Sequence, residues 1–187
     1  MKVRVIFFSG NHLYARLIRF SNNIAYIRKY GFNRFFTDER RDEVKWNHIG
    51  LIADEDSDNY VIYEALNQGL VKNNHRKNVL KRRIEDQEVE IKSIYIHGTD
   101  VEQVIKYCEK YKGNLYDWKS IFHIGLYTIF GNYGLHMSKG AKKLICSEFV
   151  ARVLYEISDK KINFEEEFNK PYDYITPADL YQSRQIK

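Results

Sequence analysis

Along the chain the spacing of apolar residues changes repeatedly, and each change predicts an element. "VRVIFF" (residues 3–8) is a short apolar run stopped by Ser9-Gly10-Asn11 and reads as a strand. "HLYARLIRF" then places Leu13, Leu17, Ile18 and Phe20 at helical spacing, and a tyrosine- and arginine-rich stretch without a clear period follows. "KWNHIGLIA" and "NYVIYEAL" are β-rich runs separated by the acidic turn "DEDSDN", which predicts an antiparallel hairpin over residues 46–66. "VEIKSIYIH" (residues 89–97) alternates as a further strand. "TDVEQVIKYCEKYKG" reads as a helix opened by a Thr99/Glu102 capping box, with Val101, Val104, Ile105 and Cys108 inward and Gly113 at its end. "YDWKSIFHIGLYTIF" is predicted helical. "CSEFVARVLYEI" is a helix with Cys146, Phe149, Val150, Val153, Leu154 and Ile157 on its inner stripe. In "TPADL", Thr176 can cap, Pro177 takes the first helical position and Asp179 the third. These elements show no βαβ alternation, so the expected class is α+β, a mostly antiparallel sheet with packed helices.

Composition narrows this picture. The chain has 187 residues, 44% of them apolar and 15% aromatic, enough for one core and against disorder, so residues 1–187 are expected to form a single domain. The net charge of +5 and the pI of about 9.0 favour anionic surroundings, a phosphate-bearing lipid, a cell-wall polymer or nucleic acid, without choosing among them. Much of the excess lies in "HRKNVLKRR" (residues 75–83), which reads as a solvated loop or helix face rather than a nucleic-acid patch. The N-terminal segment carries Lys2, Arg4, Arg16 and Arg19 and lacks the apolar core and cleavage site of a signal peptide, so the expected location is cytoplasmic. The uncharged stretch 120–138 holds three glycines, two histidines and an asparagine, a poor membrane span that suits a buried or interfacial segment, compatible with association at a membrane surface.

Two cysteines without CxxC spacing suggest free thiols rather than a disulfide framework or structural zinc, and no HExxH-type spacing calls for a metal or any other cofactor. Cys108, mid-stripe among bulky apolar residues, reads as an inert buried thiol. Cys146 differs because it opens its helix, where unpaired N–H groups and the macrodipole favour a thiolate. Such a nucleophile needs a base, and the base needs an orienting group.

Of six histidines, His12, His75 and His97 fall at element ends or in the basic segment, and His123 and His136 in the uncharged one. His48 instead sits inside "NHIGLI", on the strand face assigned to Trp46, Gly50 and Ile52, with Gly50 leaving space beside it. A turn centred on Asp56 would set His48 directly opposite Glu64, about 5 Å apart at Cβ. Glu64 in "VIYEAL" would then be a buried carboxylate paired with an imidazole. The competing reading is a solvated carboxylate on an alternating strand, and a one-residue slip of the turn separates the two.

Five segments in order, His48-Ile-Gly, "YEAL", "GNLYDW" (residues 113–118), "ICSEFV" and "TPADL", resemble the circularly permuted branch of the NlpC-type papain-like hydrolases, particularly the YiiX-like amidases. The histidine precedes the cysteine, as in the permuted branch. The resemblance implies a papain-like α+β half-barrel core, Cys146 as nucleophile, His48 as general base and Glu64 as orienting residue. It departs at "FFSGN", where the family's Gly-Asp-Ile/Leu element has no counterpart to the aspartate. On this reading the expected function is an amide-cleaving cysteine hydrolase acting on a peptide, cell-wall fragment or N-acyl substrate. The backbone N–H of Cys146 and, as a candidate, Tyr116 would meet the oxyanion. Two rivals stand beside it: a lipid acyltransferase or lipid hydrolase with the same three residues, and a non-enzymatic basic module that binds phosphates through "HRKNVLKRR".

Overall fold

The computed structural model describes residues 1–10, 13–37, 44–130 and 143–187. Its centre is a five-stranded, wholly antiparallel sheet of β1 (Lys2–Phe8), β2 (His48–Glu55), β3 (Asn59–Leu66), β4 (Gly69–Arg76) and β5 (Val89–Tyr95), ordered β4-β3-β2-β1-β5. Helices α1 (Leu13–Tyr30), α2 (Phe32–Thr37), α3 (Lys77–Glu85), α4 (Val101–Glu109), α5 (Trp118–Phe130), α6 (Cys146–Ile157), α7 (Phe164–Phe168) and α8 (Pro177–Gln182) pack around it. A short parallel pair, β6 (Leu115–Tyr116) and β7 (Lys143–Leu144), leads into α6. The architecture is α+β, as the absence of βαβ alternation predicts.

Alternation along the strands sorts the side chains to two faces. Val3, Val5, Phe7, Ile49, Leu51, Tyr63 and Ala65 face the main core, which α6 closes with Phe149, Val150, Val153 and Leu154, all four with no exposed surface. Burying each of these contributes about 1.5–3 kcal/mol, which anchors the helix and fixes where its first residue lies. The opposite face carries Ile6, Phe8, Ile52 and Ile62, covered by Leu80 of α3. On that face the Phe8 ring of β1 lies 6.1 Å from the His75 ring of β4. Three strand spacings in a flat sheet would separate β1 and β4 by about 14 Å, so the sheet curls toward this face.

Several local expectations are corrected. The hairpin pairs Gly50, not His48, with Glu64. The strands part at a longer turn in which Asp56 accepts from the N–H groups of Asp58 and Asn59 at 2.8 and 2.6 Å, and a bulge falls between Ile52 and Asp54. Trp46 precedes β2 and packs with Phe7 and Tyr181 in the main core, so it does not share the face of His48. The basic segment is neither one loop nor one helix face: His75 and Arg76 end β4, and Lys77 begins α3. α4 is capped by Asp100, whose side chain accepts from Gln103 N–H, while Thr99 donates to the carbonyl of Ile157 at 2.7 Å. Thr176 caps α8 as expected, with Pro177 in the first turn, and Asp179 returns the bond to complete a capping box.

Candidate active site

His48 is the first residue of β2, and its position is braced from both sides. Buried Asn47 exchanges hydrogen bonds with Gly10 at 3.1 and 3.2 Å, holding the turn after β1 against the start of β2. Asn22 of α1 donates to the carbonyls of Val44 and Trp46. From the strand end the imidazole reaches the beginning of α6, so residues of the curled face meet a helix that packs mainly on the other.

Glu64 lies diagonal to His48 across the ladder, two residues from the directly opposed position and on the same face. Long side chains span that diagonal. His48 Nε2 donates to Glu64 Oε2 at 2.9 Å, with the carboxylate 5% and the imidazole 18% exposed. Gly50 makes the reach possible: a Cβ there would sit 3.0 Å from Glu64 Cγ and 2.9 Å from Ile62 Cγ2. The space that the sequence suggested beside His48 is therefore filled by the glutamate stem. Burial raises the Glu64 carboxyl, but hydrogen bonds from His48 and then His75 overcome it and hold the group far below the usual carboxylate range.

Cys146 is 2% exposed and lies near enough to His48 to raise its imidazole. Burial alone would push the imidazole down. Cys146 first and Glu64 second reverse this and push it up to about 10. With Nε2 committed to Glu64, Nδ1 is the nitrogen left for the thiol. The residue before the helix is Ile145, which has no side-chain acceptor, so the first-turn N–H groups of α6 have no side-chain cap.

Tyr116 arrives by a separate route. Gly69 adopts φ +105°, and a Cβ on it would fall 2.5 Å from the Asn114 carbonyl, so only glycine lets β4 start this close to the chain entering β6. Leu70 N–H donates to that same carbonyl at 3.2 Å, and Tyr116 pairs with Leu144 two residues before Cys146. Burial, then the charge of Cys146 and a hydrogen bond to it, push the Tyr116 phenol well above the usual tyrosine range, which keeps it a protonated donor. A narrow crevice opens at the sulfur, lined mainly by Ile18, Ile121, Ile124, Ile145 and Pro177. Two roomier hollows elsewhere on the described surface include none of Cys146, His48 or Glu64.

All four candidate residues thus come together: Cys146, His48, Glu64 and Tyr116. Cys108 stays apart with no exposed surface, and burial pushes its thiol far above the ordinary range. Both thiols are free. His97 is exposed against Tyr95, His123 lies on α5, and His12 and His136 fall outside the described residues, as does the end of the uncharged stretch. The sequence reading missed His75 as a site neighbour: its Nε2 donates to Glu64 Oε1 at 2.7 Å. Asn73 adds a 3.3 Å contact to the same oxygen. Both belong to β4, whose polar "KNNHR" half gives no strand alternation; the only available signal was the two-residue gap between Leu66 and Gly69.

Among the described residues no cluster of three or more His, Cys, Asp or Glu side chains is placed to hold a metal ion, and no helix is long and apolar enough to cross a membrane. No protein-family model matches the chain, and no curated protein matches it significantly.

Proposed function

We infer that the protein is a cysteine hydrolase cleaving an amide bond through an acyl-enzyme, with Cys146 as nucleophile, His48 as general base and Glu64 as orienting carboxylate. The observation that carries this reading is the 2.9 Å hydrogen bond from His48 Nε2 to buried Glu64, with the Cys146 thiol near enough to raise the imidazole and placed at the start of a helix without a side-chain cap. It also supports the permuted papain-like relationship inferred from the motif order.

His48 Nδ1 takes the thiol proton, and the sulfur attacks the substrate carbonyl to form a C–S bond. The oxyanion is met by the Cys146 N–H and the Tyr116 hydroxyl. As the C–N bond breaks, His48 returns its proton to the departing amine. Water, deprotonated by the same imidazole, then cleaves the thioester, releasing the acid and restoring the thiol. Glu64 holds the proton on Nε2 throughout, fixing the tautomer that leaves Nδ1 basic.

A second reading, a lipid hydrolase or acyltransferase with the same three residues, is favoured by the aliphatic lining of the crevice at the sulfur. The basic binding module is only partly favoured by its segment: Arg76, Lys81 and Arg82 are exposed, but His75 bonds Glu64, Lys77 pairs with Glu55 at 2.8 Å and Arg83 with Glu88 at 3.4 Å.

The test is a mass measurement. Incubation with p-nitrophenyl acetate should add one acetyl group to the intact protein, mapped to Cys146, with the adduct absent in Cys146→Ala and formed at least about tenfold more slowly in His48→Ala. Absence of any adduct at Cys146, or equal rates in parent and His48→Ala, rejects the reading. Phospholipid vesicles and muropeptides assayed side by side then separate the two substrate classes.

A further inference from the structure

The second histidine on Glu64 extends the constellation beyond three residues. Both carboxylate oxygens of Glu64 are occupied: Oε2 by His48 Nε2, and Oε1 by His75 Nε2 and Asn73 Nδ2. Two imidazoles therefore grip one buried carboxylate from opposite ends. Both also pack on the same ring, with Phe8 lying 5.4 Å from His48 and 6.1 Å from His75. His75 is 27% exposed and stands on β4, which neither contributes the thiol nor touches His48 directly in the ladder.

A glutamate has three rotatable side-chain bonds, and the one ending in the carboxylate is broad and roughly two-fold. Without His75, Oε1 would keep only the longer 3.3 Å bond from Asn73, and the Glu64 carboxylate could turn about its last bond and still accept from His48, carrying the imidazole with it. A second charge-assisted hydrogen bond on the other oxygen removes that freedom. We propose that His75 is a positioning residue which, by holding Glu64 Oε1, fixes Oε2 and hence the ring plane of His48 against Cys146. This rests on the reading of Cys146, His48 and Glu64 given above. The competing explanation is purely structural: His75 offsets the cost of a buried carboxylate and has no bearing on the thiol.

The two explanations differ in what a reach-matched pair of variants does. In His75→Gln the amide nitrogen extends about as far as imidazole Nε2, whereas in His75→Asn it is equally polar but falls short of Glu64. The measurement is the rate of iodoacetamide labelling at Cys146, read by peptide mass spectrometry in the intact chain, with fully buried Cys108 as an internal reporter of unfolding. The positioning role predicts His75→Gln within about threefold of the parent and His75→Asn at least about tenfold slower, the size expected for loss of a charge-assisted hydrogen bond, with Cys108 unlabelled in both. For p-nitrophenyl acetate, kcat should fall in His75→Asn with KM unchanged. Parent-like labelling in His75→Asn, or equal slowing in both variants, overturns the proposal. If His48→Ala labels as fast as the parent, the underlying reading fails instead. Slow labelling in His48→Ala and Glu64→Ala together with parent-like rates in His75→Asn rejects the role of His75 alone.

Discussion

Gly50 shows how one missing side chain can decide a site. The Glu64 stem crosses directly over it, so in Gly50→Ala the new methyl must push aside Glu64 Cγ, Ile62 Cγ2 or the backbone carbonyl of Tyr63 at 3.2 Å. Overpacking of this kind costs about 1–3 kcal/mol, and the most mobile of the three neighbours is the glutamate. Gly50→Ala should therefore lower the urea midpoint by that equivalent and also slow iodoacetamide labelling of Cys146. A variant with parent-like midpoint and labelling would show that Glu64 has another path to His48. The sharing of a face by His48 and Glu64 was legible in the sequence because strand periodicity is two. The predicted opposition of His48 to Glu64 was off by two residues, and an even shift preserves the face where a shift of one would have inverted it. His75 was not legible, since nothing in "KNNHR" distinguishes a polar strand from a loop.

Elements with strong local signals formed where the sequence placed them. α6 runs over Cys146–Ile157, matching its apolar stripe, and the α8 capping box unites Thr176 and Asp179. The predicted Thr99/Glu102 box did not form: the next residue, Asp100, caps α4, and the Thr99 hydroxyl is drawn instead to the C-terminal carbonyl of α6. β4 and the β6/β7 pair depend on tertiary contact rather than periodicity, and their junction at Gly69 sets the path to Tyr116. Gly69→Ala would place a methyl 2.5 Å from the Asn114 carbonyl in a backbone conformation with φ +105°. The expected cost is about 1–3 kcal/mol, with Tyr116 displaced from the sulfur. Thermal melts should register the first effect, and a fall in kcat for p-nitrophenyl acetate the second. A melt that drops while kcat holds would remove Tyr116 from the oxyanion role but leave the packing argument intact.

For the whole molecule, the site couples folding to pH in two opposite senses. Glu64 has a folded-state pKa depressed below its ordinary value of 4.5, so its contribution to stability is full above that value and is lost as pH falls below it. His48 is raised from 6.5 to about 10, so its contribution is full below 6.5 and is lost as pH rises through about 10. Both are complete only between these unfolded-state values, from 4.5 to 6.5, where these two groups make the fold most stable. Each titrating group can tilt stability by at most about 1.4 kcal/mol per pH unit. Because Cys146 contributes the largest raising effect on His48, ahead of Glu64, Cys146→Ala should flatten the alkaline limb and leave the acid limb nearly unchanged. Glu64→Gln removes both the carboxylate and its hold on two imidazoles, and should flatten the acid limb and part of the alkaline one. Urea unfolding of the parent and both variants across about pH 2 to 10 measures these slopes. An alkaline limb as steep in Cys146→Ala as in the parent would mean that the thiol does not bear on the imidazole, and the acyl-enzyme mechanism would lose its electrostatic basis.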